Sequence, residues 1–260
     1  MVVAAASNAA ARPSNPAFLG VGMTNTGAPG IAGPCEINTV TPGGSASAAG
    51  LRQGDKFLSI DGTSIPSCDA LITFIQEREP GQQVKIDVLR NGNRISVKAE
   101  LLSRTELLRR RFVGQILPAA DVIRYDDRSD VDLGTRGKTT IVGWFDPRCV
   151  GCSTTFAQID RWTRRTGKHV RVFAATKPPI TDNLDELKPL AKTLDVPLLV
   201  ADADTFKQFS IEDIDRLHFM VIDCRGIVSY VATIAPDAED LDATLDELYA
   251  AAEQATRRMK

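Results

Sequence analysis

Apolar and polar positions alternate with a period of two at residues 84–89 and 95–101, the pattern of half-buried strands. Asn91-Gly92 lies between them and tolerates the positive φ angles of a tight turn, so the two runs predict a β-hairpin. Upstream, Pro66 and Ser67 precede Leu71, Ile72 and Ile75 at helical spacing, and Pro80-Gly81 closes that helix. Short apolar runs with dense glycine and proline signals fill the rest, predicting a small, mostly β domain over residues 17–103. Ser103 and Glu106 then stand in the Ser-x-x-Glu form of a capping box, with Leu107 and Leu108 behind them. With Arg109, Arg110 and Arg111, this predicts a short solvated helix or turn linking two domains over residues 104–111.

From residue 112 the pattern changes to alternating strands and helices. Strands are expected at residues 139–145, 170–175, 197–201, 217–223 and 227–233, with Cys224-Arg225-Gly226 turning the last pair. Helices are expected at 152–166, with Phe156, Ile159 and Trp162 on one face, at 205–209, and around Leu241, Leu245 and Leu248. Leu184, Leu187 and Leu190 mark another, with Pro189 disturbing its last turn. The fold class expected is therefore multi-domain: a small mostly-β domain, then an α/β unit over residues 112–260 with a central mixed sheet flanked by helices. Residues 1–16 carry no basic region, and their apolar stretch is too short for a signal core. They are expected to form a disordered tail, the alternative being the remnant of a longer export segment.

Charge narrows the functions. Residues 1–103 hold 8 basic and 8 acidic side chains, leaving 23 and 25 for the remainder. Neither part has the cationic excess that phosphate neutralisation needs, so no nucleic-acid partner is expected. No stretch reaches the ~18 uncharged apolar residues of a membrane span. Two histidines, His169 and His218, do not make a histidine-built metal site, and no cofactor or metal is expected.

The five cysteines carry the chemistry. Cys35 and Cys68 lie in the first domain, either as two buried thiols or joined in a bridge. A bridge, the favoured reading, would add roughly 3 kcal/mol and place the protein outside the cytoplasm. Cys224 reads as a spare thiol. Cys149-Val150-Gly151-Cys152 falls where the strand at 139–145 hands over to the helix at 152–166. The positive end of a helix favours a thiolate, so Cys149 is expected to be the exposed nucleophile and Cys152 the buried, resolving thiol. Arg148 would add a cation beside Cys149.

Phe18-Leu19-Gly20-Val21, Pro42-Gly43-Gly44-Ser45-Ala46, Ala49-Gly50-Leu51-Arg52-Gln53-Gly54-Asp55 and Phe57-Leu58-Ser59-Ile60-Asp61-Gly62 follow in an order, with the helix and hairpin, that resembles a PDZ domain of the HtrA-protease-associated type. The resemblance implies that backbone N–H groups of Leu19, Gly20 and Val21 hold a peptide's terminal carboxylate. The peptide would add as a strand along Val21 to Met23, its last side chain in a pocket formed partly by Leu71, Ile72 and Ile75.

Gly137-Lys138, the strand ending in Trp144-Phe145, the cysteine pair, and the inserted helix and strand of residues 182–201 resemble the thioredoxin superfamily, in its TlpA and peroxiredoxin-like branch. The resemblance implies a redox-active centre with Trp144 nearby. Three departures stand out. Leu217 occupies the position of the family's cis-proline, Thr155 replaces an acid, and Gly143 stands where a buried aspartate is usual. Asp146 is the expected substitute proton acceptor, and His218, next to Leu217, is expected as a further neighbour of the pair. The Pro-x-x-x-Thr-x-x-Cys arrangement of peroxidases is absent. The expectation is an extracytoplasmic, periplasmic thiol–disulfide oxidoreductase acting on disulfide-containing proteins, with a peptide-binding module attached. The alternative is a non-catalytic adaptor whose two modules are binding surfaces.

Overall fold

The structure is a computed structural model that describes residues 15–27, 33–166, 169–209 and 215–257. Most of the expected tail, residues 1–14, lies outside the described residues; Asn15 accepts a hydrogen bond from Thr105 N at 3.3 Å. The chain divides into two compact units, residues 15–111 and residues from 112 on.

The first unit runs β1 (Ala17–Phe18), β2 (Val21–Asn25), β3 (Cys35–Val40), α1 (Ser45–Ala48), β4 (Lys56–Ile60), β5 (Thr63–Ser64), α2 (Cys68–Gln76), β6 (Gln83–Arg90), β7 (Asn93–Glu100), β8 (Leu102–Ser103) and α3 (Arg104–Phe112). Its sheet has the order β2-β3-β4-β6-β7, all antiparallel, with β5 beside β4. Asn91 and Gly92 take φ of 50° and 80°, the turn that the hairpin pattern requires. Helix α2 starts at the Ser67 cap, whose Oγ accepts from Ala70 N, and lays Leu71, Phe74 and Ile75 on the core with Phe57, Ile60 and Ile86. The Asp55 carboxylate, fully buried, receives Arg90 Nε at 2.6 Å, Arg90 Nη2 at 2.7 Å and Arg52 N at 2.9 Å. Burial opposes its ionisation, but these hydrogen bonds outweigh it and hold the carboxyl below the usual aspartate range. The capping box is real at its first half: Ser103 Oγ accepts from Glu106 N at 3.0 Å, and Leu107 and Leu108 are buried.

The second unit contains β9 (Val122–Arg124), β10 (Thr139–Phe145), α4 (Cys152–Thr166), β11 (Val170–Thr176), a 3-10 turn (Leu184–Leu187) continuing into α5 (Lys188–Thr193), β12 (Leu198–Ala201), α6 (Ala203–Phe209), β13 (Leu217–Ile222), β14 (Val228–Ile234) and α7 (Leu241–Arg257). Pro189 does not break a last turn; it sits in the first turn of α5, where its missing N–H costs nothing. The sheet order is β14-β13-β10-β11-β12-β9, with β10, β11 and β12 parallel and the other pairs antiparallel. The central strand β10 is buried along its whole length, as its apolar run requires. Helices α4 and α7 share one face, where Trp162 stacks on Tyr249 at 4.6 Å between ring centroids. On the other face Trp144 stacks on Phe209 at 5.1 Å, and Phe209 stacks on Phe112 at 5.4 Å.

Candidate functional site

Strand β10 ends at Phe145, and a tight turn follows in which Cys149 N donates to the Asp146 carbonyl at 2.9 Å. Gly151 takes φ of 83°, and Cys152 is the first residue of α4. Cys149 and Cys152 are joined in a disulfide with their Cα atoms 5.7 Å apart. The two sulfurs are not equivalent. Cys152 is 1% exposed and belongs to the apolar core with Phe145 and Phe156, whereas Cys149 is half-buried at its edge and Val150 beside it is 90% exposed. A Cβ on Gly151 would lie 3.0 Å from Pro236 Cβ, so the segment after β14 abuts the cysteine loop. Pro236 is a neighbour that sequence reading missed, although a proline just past a strand was available as a signal.

Arg148 does not serve Cys149 as expected. Its guanidinium holds Asp146 through Nε at 2.8 Å and Nη2 at 3.0 Å, its own N–H donates to the same carboxylate, and Lys177 Nζ approaches at 2.8 Å. Asp146 is buried, which opposes ionisation, yet bonding by Arg148 and Lys177 holds its carboxyl well below the usual range. It is therefore fixed as a carboxylate that organises the turn and is a poor proton acceptor. Lys177, just past β11, was invisible to sequence reading because the contact joins the ends of two strands.

Of the other expected neighbours, Leu217 is placed with the pair: it is fully buried in the same core as Cys152 and pairs with Phe145 across β10 and β13. Trp144 and His218 are not. They pair with each other one position along, hence on the opposite face of the sheet, where Trp144 meets Phe206 and Phe209 and the His218 ring contacts Thr233 Oγ1 at 3.2 Å. No cis peptide occurs among the described residues. Gly143 has no room for an acid: an added Cβ would lie 2.7 Å and 2.8 Å from ring atoms of Phe156, with the Phe219 ring against it as well. Thr155 is buried in the first turn of α4.

In the first unit, β2 is an edge strand and α2 runs beside it. Between β1 and β2, Leu19 and Gly20 turn their carbonyls inward, accepting from Ala46 N and Thr41 N, each at 2.9 Å. Among the described residues no hydrogen bond is made by Leu19 N–H or Gly20 N–H, and both residues are buried. Gly20 takes φ of 80°, a left-handed conformation that favours glycine. Ser45, buried and given no role of its own by the motif that contains it, accepts from Leu102 N at 2.9 Å and donates to the Phe18 carbonyl at 3.1 Å, fixing the loop from behind. Val21 and Met23 are half-buried along β2. Helix α2 divides the three expected pocket residues: Leu71 (1% exposed) is core, Ile75 is buried, and Ile72 (40% exposed) is open to a ligand. Leu71 is thus corrected from pocket to core, because its position one residue before Ile72 turns it under the helix.

Cys35 and Cys68 form the other disulfide, with Cα atoms 4.7 Å apart. It ties the first residue of β3 to the first residue of α2, closing a loop that by chain entropy is worth about 4 kcal/mol.

An edge strand with a helix beside it is the arrangement of a peptide-binding module. Residues 17–101 match the PDZ domain family, and the chain carries a PDZ domain there. Within it the chain is 35% identical over 69 residues to the periplasmic pH-dependent serine endoprotease DegQ of Escherichia coli (strain K12), covering 26% of this chain and 15% of DegQ. It is 38% identical over 61 residues to the zinc metalloprotease RasP of Geobacillus kaustophilus (strain HTA426), covering 24% of this chain and 14% of RasP. The chain thus spans about one seventh of the length of these curated relatives. Among solved structures, the HtrA-type protease AlgW with decapeptide matches at 28% identity and a TM-score of 0.32, over 35% of this chain and 30% of that one. A putative protein disulfide isomerase from Bacteroides thetaiotaomicron matches 53% of this chain and 87% of its own, at 19% identity and a TM-score of 0.42.

Proposed function

We propose that the chain is an extracytoplasmic thiol–disulfide oxidoreductase whose PDZ domain captures the carboxyl ends of peptides or proteins. The observation that carries the redox half is the asymmetric pair at the β10–α4 corner: one accessible sulfur, one sealed beneath it at the start of a 15-residue helix. In the reduced protein the Cys149 thiolate attacks a client disulfide and expels one client sulfur as thiolate. Cys152 then attacks Cys149 Sγ, releasing the second client sulfur and leaving Cys149–Cys152 oxidised. The parallel β10–β11–β12 core with antiparallel β13 and β14 supports a thioredoxin-like unit. Two disulfides support an oxidising compartment, and no helix among the described residues is long and apolar enough to cross a membrane.

One observation favours the adaptor as a second reading. The space over Gly143 is filled by aromatic rings and Asp146 is locked by two cations, so neither position supplies Cys152 with a proton acceptor. The midpoint potential of the Cys149–Cys152 pair in glutathione buffers, with insulin reduction driven by dithiothreitol, decides between them. An oxidoreductase gives a potential above about −300 mV and turnover; a structural bond lies below that value and does not turn over.

For the PDZ domain, Gly20→Ala should weaken binding of peptides with a free carboxyl end about tenfold, since holding an L-residue in this conformation costs about 1–2 kcal/mol. Fluorescence anisotropy with free and amidated peptides checks this, and unchanged affinity would remove carboxylate capture by this loop from the reading.

Acid should unsettle the second unit in a defined window. The depressed Asp146 carboxyl contributes stability that is complete above the unfolded aspartate pKa of about 3.9 and is lost as pH falls toward the folded value. Melting temperature followed from pH 7 to pH 2 should fall less steeply below pH 4 in Asp146→Asn than in the parent.

A further inference from the structure

We propose that Arg124 and Arg171, which both reach the Phe173 ring at the open edge of β11, form a binding site for a small dianionic oxyanion of the phosphate class. The site is separate from the cysteine pair and from the peptide groove. Strand β12 lies beside β11 only from Ala174 to Thr176. Toward the start of β11, among the described residues, no strand covers that edge, and a cavity of about 290 Å³ opens there. Arg124 at the end of β9, Arg171 and Phe173 on β11, Asp160 and Thr163 on α4, and Pro197 line it. The guanidinium carbons of Arg124 and Arg171 lie 5.7 Å and 5.5 Å from the centroid of the Phe173 ring, so two cations share one aromatic.

Neither charge is neutralised. Among the described residues neither arginine makes an ion pair, and the Arg124 side chain makes no hydrogen bond. Arg171 donates from Nη1 to Thr135 Oγ1 at 3.3 Å, and from Nη2 to Thr140 Oγ1 at 2.7 Å and to the Asp132 and Leu133 carbonyls, each at 3.3 Å. All of these acceptors are neutral, and Arg171 Nε is buried with no partner. Burial presses the Arg171 guanidinium below its ordinary range; Asp132 opposes this and Arg124 reinforces it. The carboxylates at hand are engaged elsewhere. Asp160 accepts from Arg164 Nε at 2.6 Å, Asp132 from Gly134 N at 2.9 Å, and Asp127 from Ser129 N at 3.0 Å. Two half-buried cations on one cavity repel, and an oxyanion bound between them removes the repulsion. Guanidinium forks match phosphate oxygens, two forks suit a dianion, and the cavity is at the small end of ligand sites.

The test titrates the full chain with inorganic phosphate by isothermal titration calorimetry at low ionic strength, with potassium chloride at matched ionic strength as the reference. Phosphate should bind saturably at one site per chain, and chloride should not. Arg124→Gln, which alters a side chain with no other hydrogen bond, should weaken phosphate about tenfold or more, the scale of one lost charged hydrogen bond. Arg161→Gln removes an exposed guanidinium of α4 whose Nε is turned to the Ala157 carbonyl of its own helix, and should leave the affinity within about twofold. Melting temperatures supply the second readout: excess phosphate should raise that of the parent and of Arg161→Gln, and not that of Arg124→Gln. Phosphate binding no tighter than chloride, affinity that survives Arg124→Gln, or an equal loss in the two variants overturns the site.

Discussion

Cys149→Ser should reduce insulin turnover to the uncatalysed thiol background, a loss of roughly three orders of magnitude or more, as expected when a nucleophile is deleted. Cys152→Ser should behave differently. Its Cys149 can still attack a disulfide, but nothing remains to resolve the product, so a mixed disulfide with the client should accumulate. The asymmetry follows from position: Cys149 stands at the edge of the core and Cys152 inside it. The helix end supports the same assignment, since the free N–H groups of the first turn of α4 favour negative charge on sulfur close to them. Non-reducing electrophoresis and mass spectrometry of both variants after exposure to insulin provide the measurement. Equal trapping by the two variants would contradict the assigned order, and turnover by Cys149→Ser would end the oxidoreductase reading.

Gly143→Ala should destabilise the second unit by about 3 kcal/mol, the upper part of the usual range for overpacking a core. A loss of this size lowers the melting temperature by about 6–12 °C in a unit of this length. The methyl group would be driven into the Phe219 ring, its nearest neighbour, and into the Phe156 ring, whose centroid lies 5.4 Å from that of Phe145 and 5.5 Å from that of Phe219. Neither ring can retreat without disturbing the other contacts. Phe219→Ala should cost stability alone yet rescue part of the Gly143→Ala loss, so the double variant tests whether the crowding is the cause. Additive losses would place the cause elsewhere.

Much of this architecture was legible from pattern. The hairpin was given away by Asn91-Gly92 between alternating runs, and the buried strand β10 by its unbroken apolar stretch. What escaped was three-dimensional. Trp144 and Phe145 are adjacent, so the period of two already sends them to opposite faces. Only the packing of α4 decides which face carries the cysteines, and it leaves Trp144 and His218 on the other one. Arg148 was adjacent in sequence to Cys149 but bonds to Asp146 two positions back, a bidentate pairing with no spacing signature. Strand β9, three residues long, exists through its pairing with β12 and not through any pattern of its own. The PDZ domain was legible from its motifs, whereas Ser45 and Asn25 work through contacts across 57 and 43 residues.

The two borders of the first unit's sheet differ in how they resist self-association. Strand β7 carries Arg94, Lys98 and Glu100, charges that discourage another chain from stacking alongside. Strand β2, Val-Gly-Met-Thr-Asn, carries none and is protected mainly by its brevity and the irregularity at Gly22 and Met23. A concentrated solution lacking peptide should therefore nucleate aggregates from the β2 border first, and saturating peptide should act as a solubilising agent by occupying it.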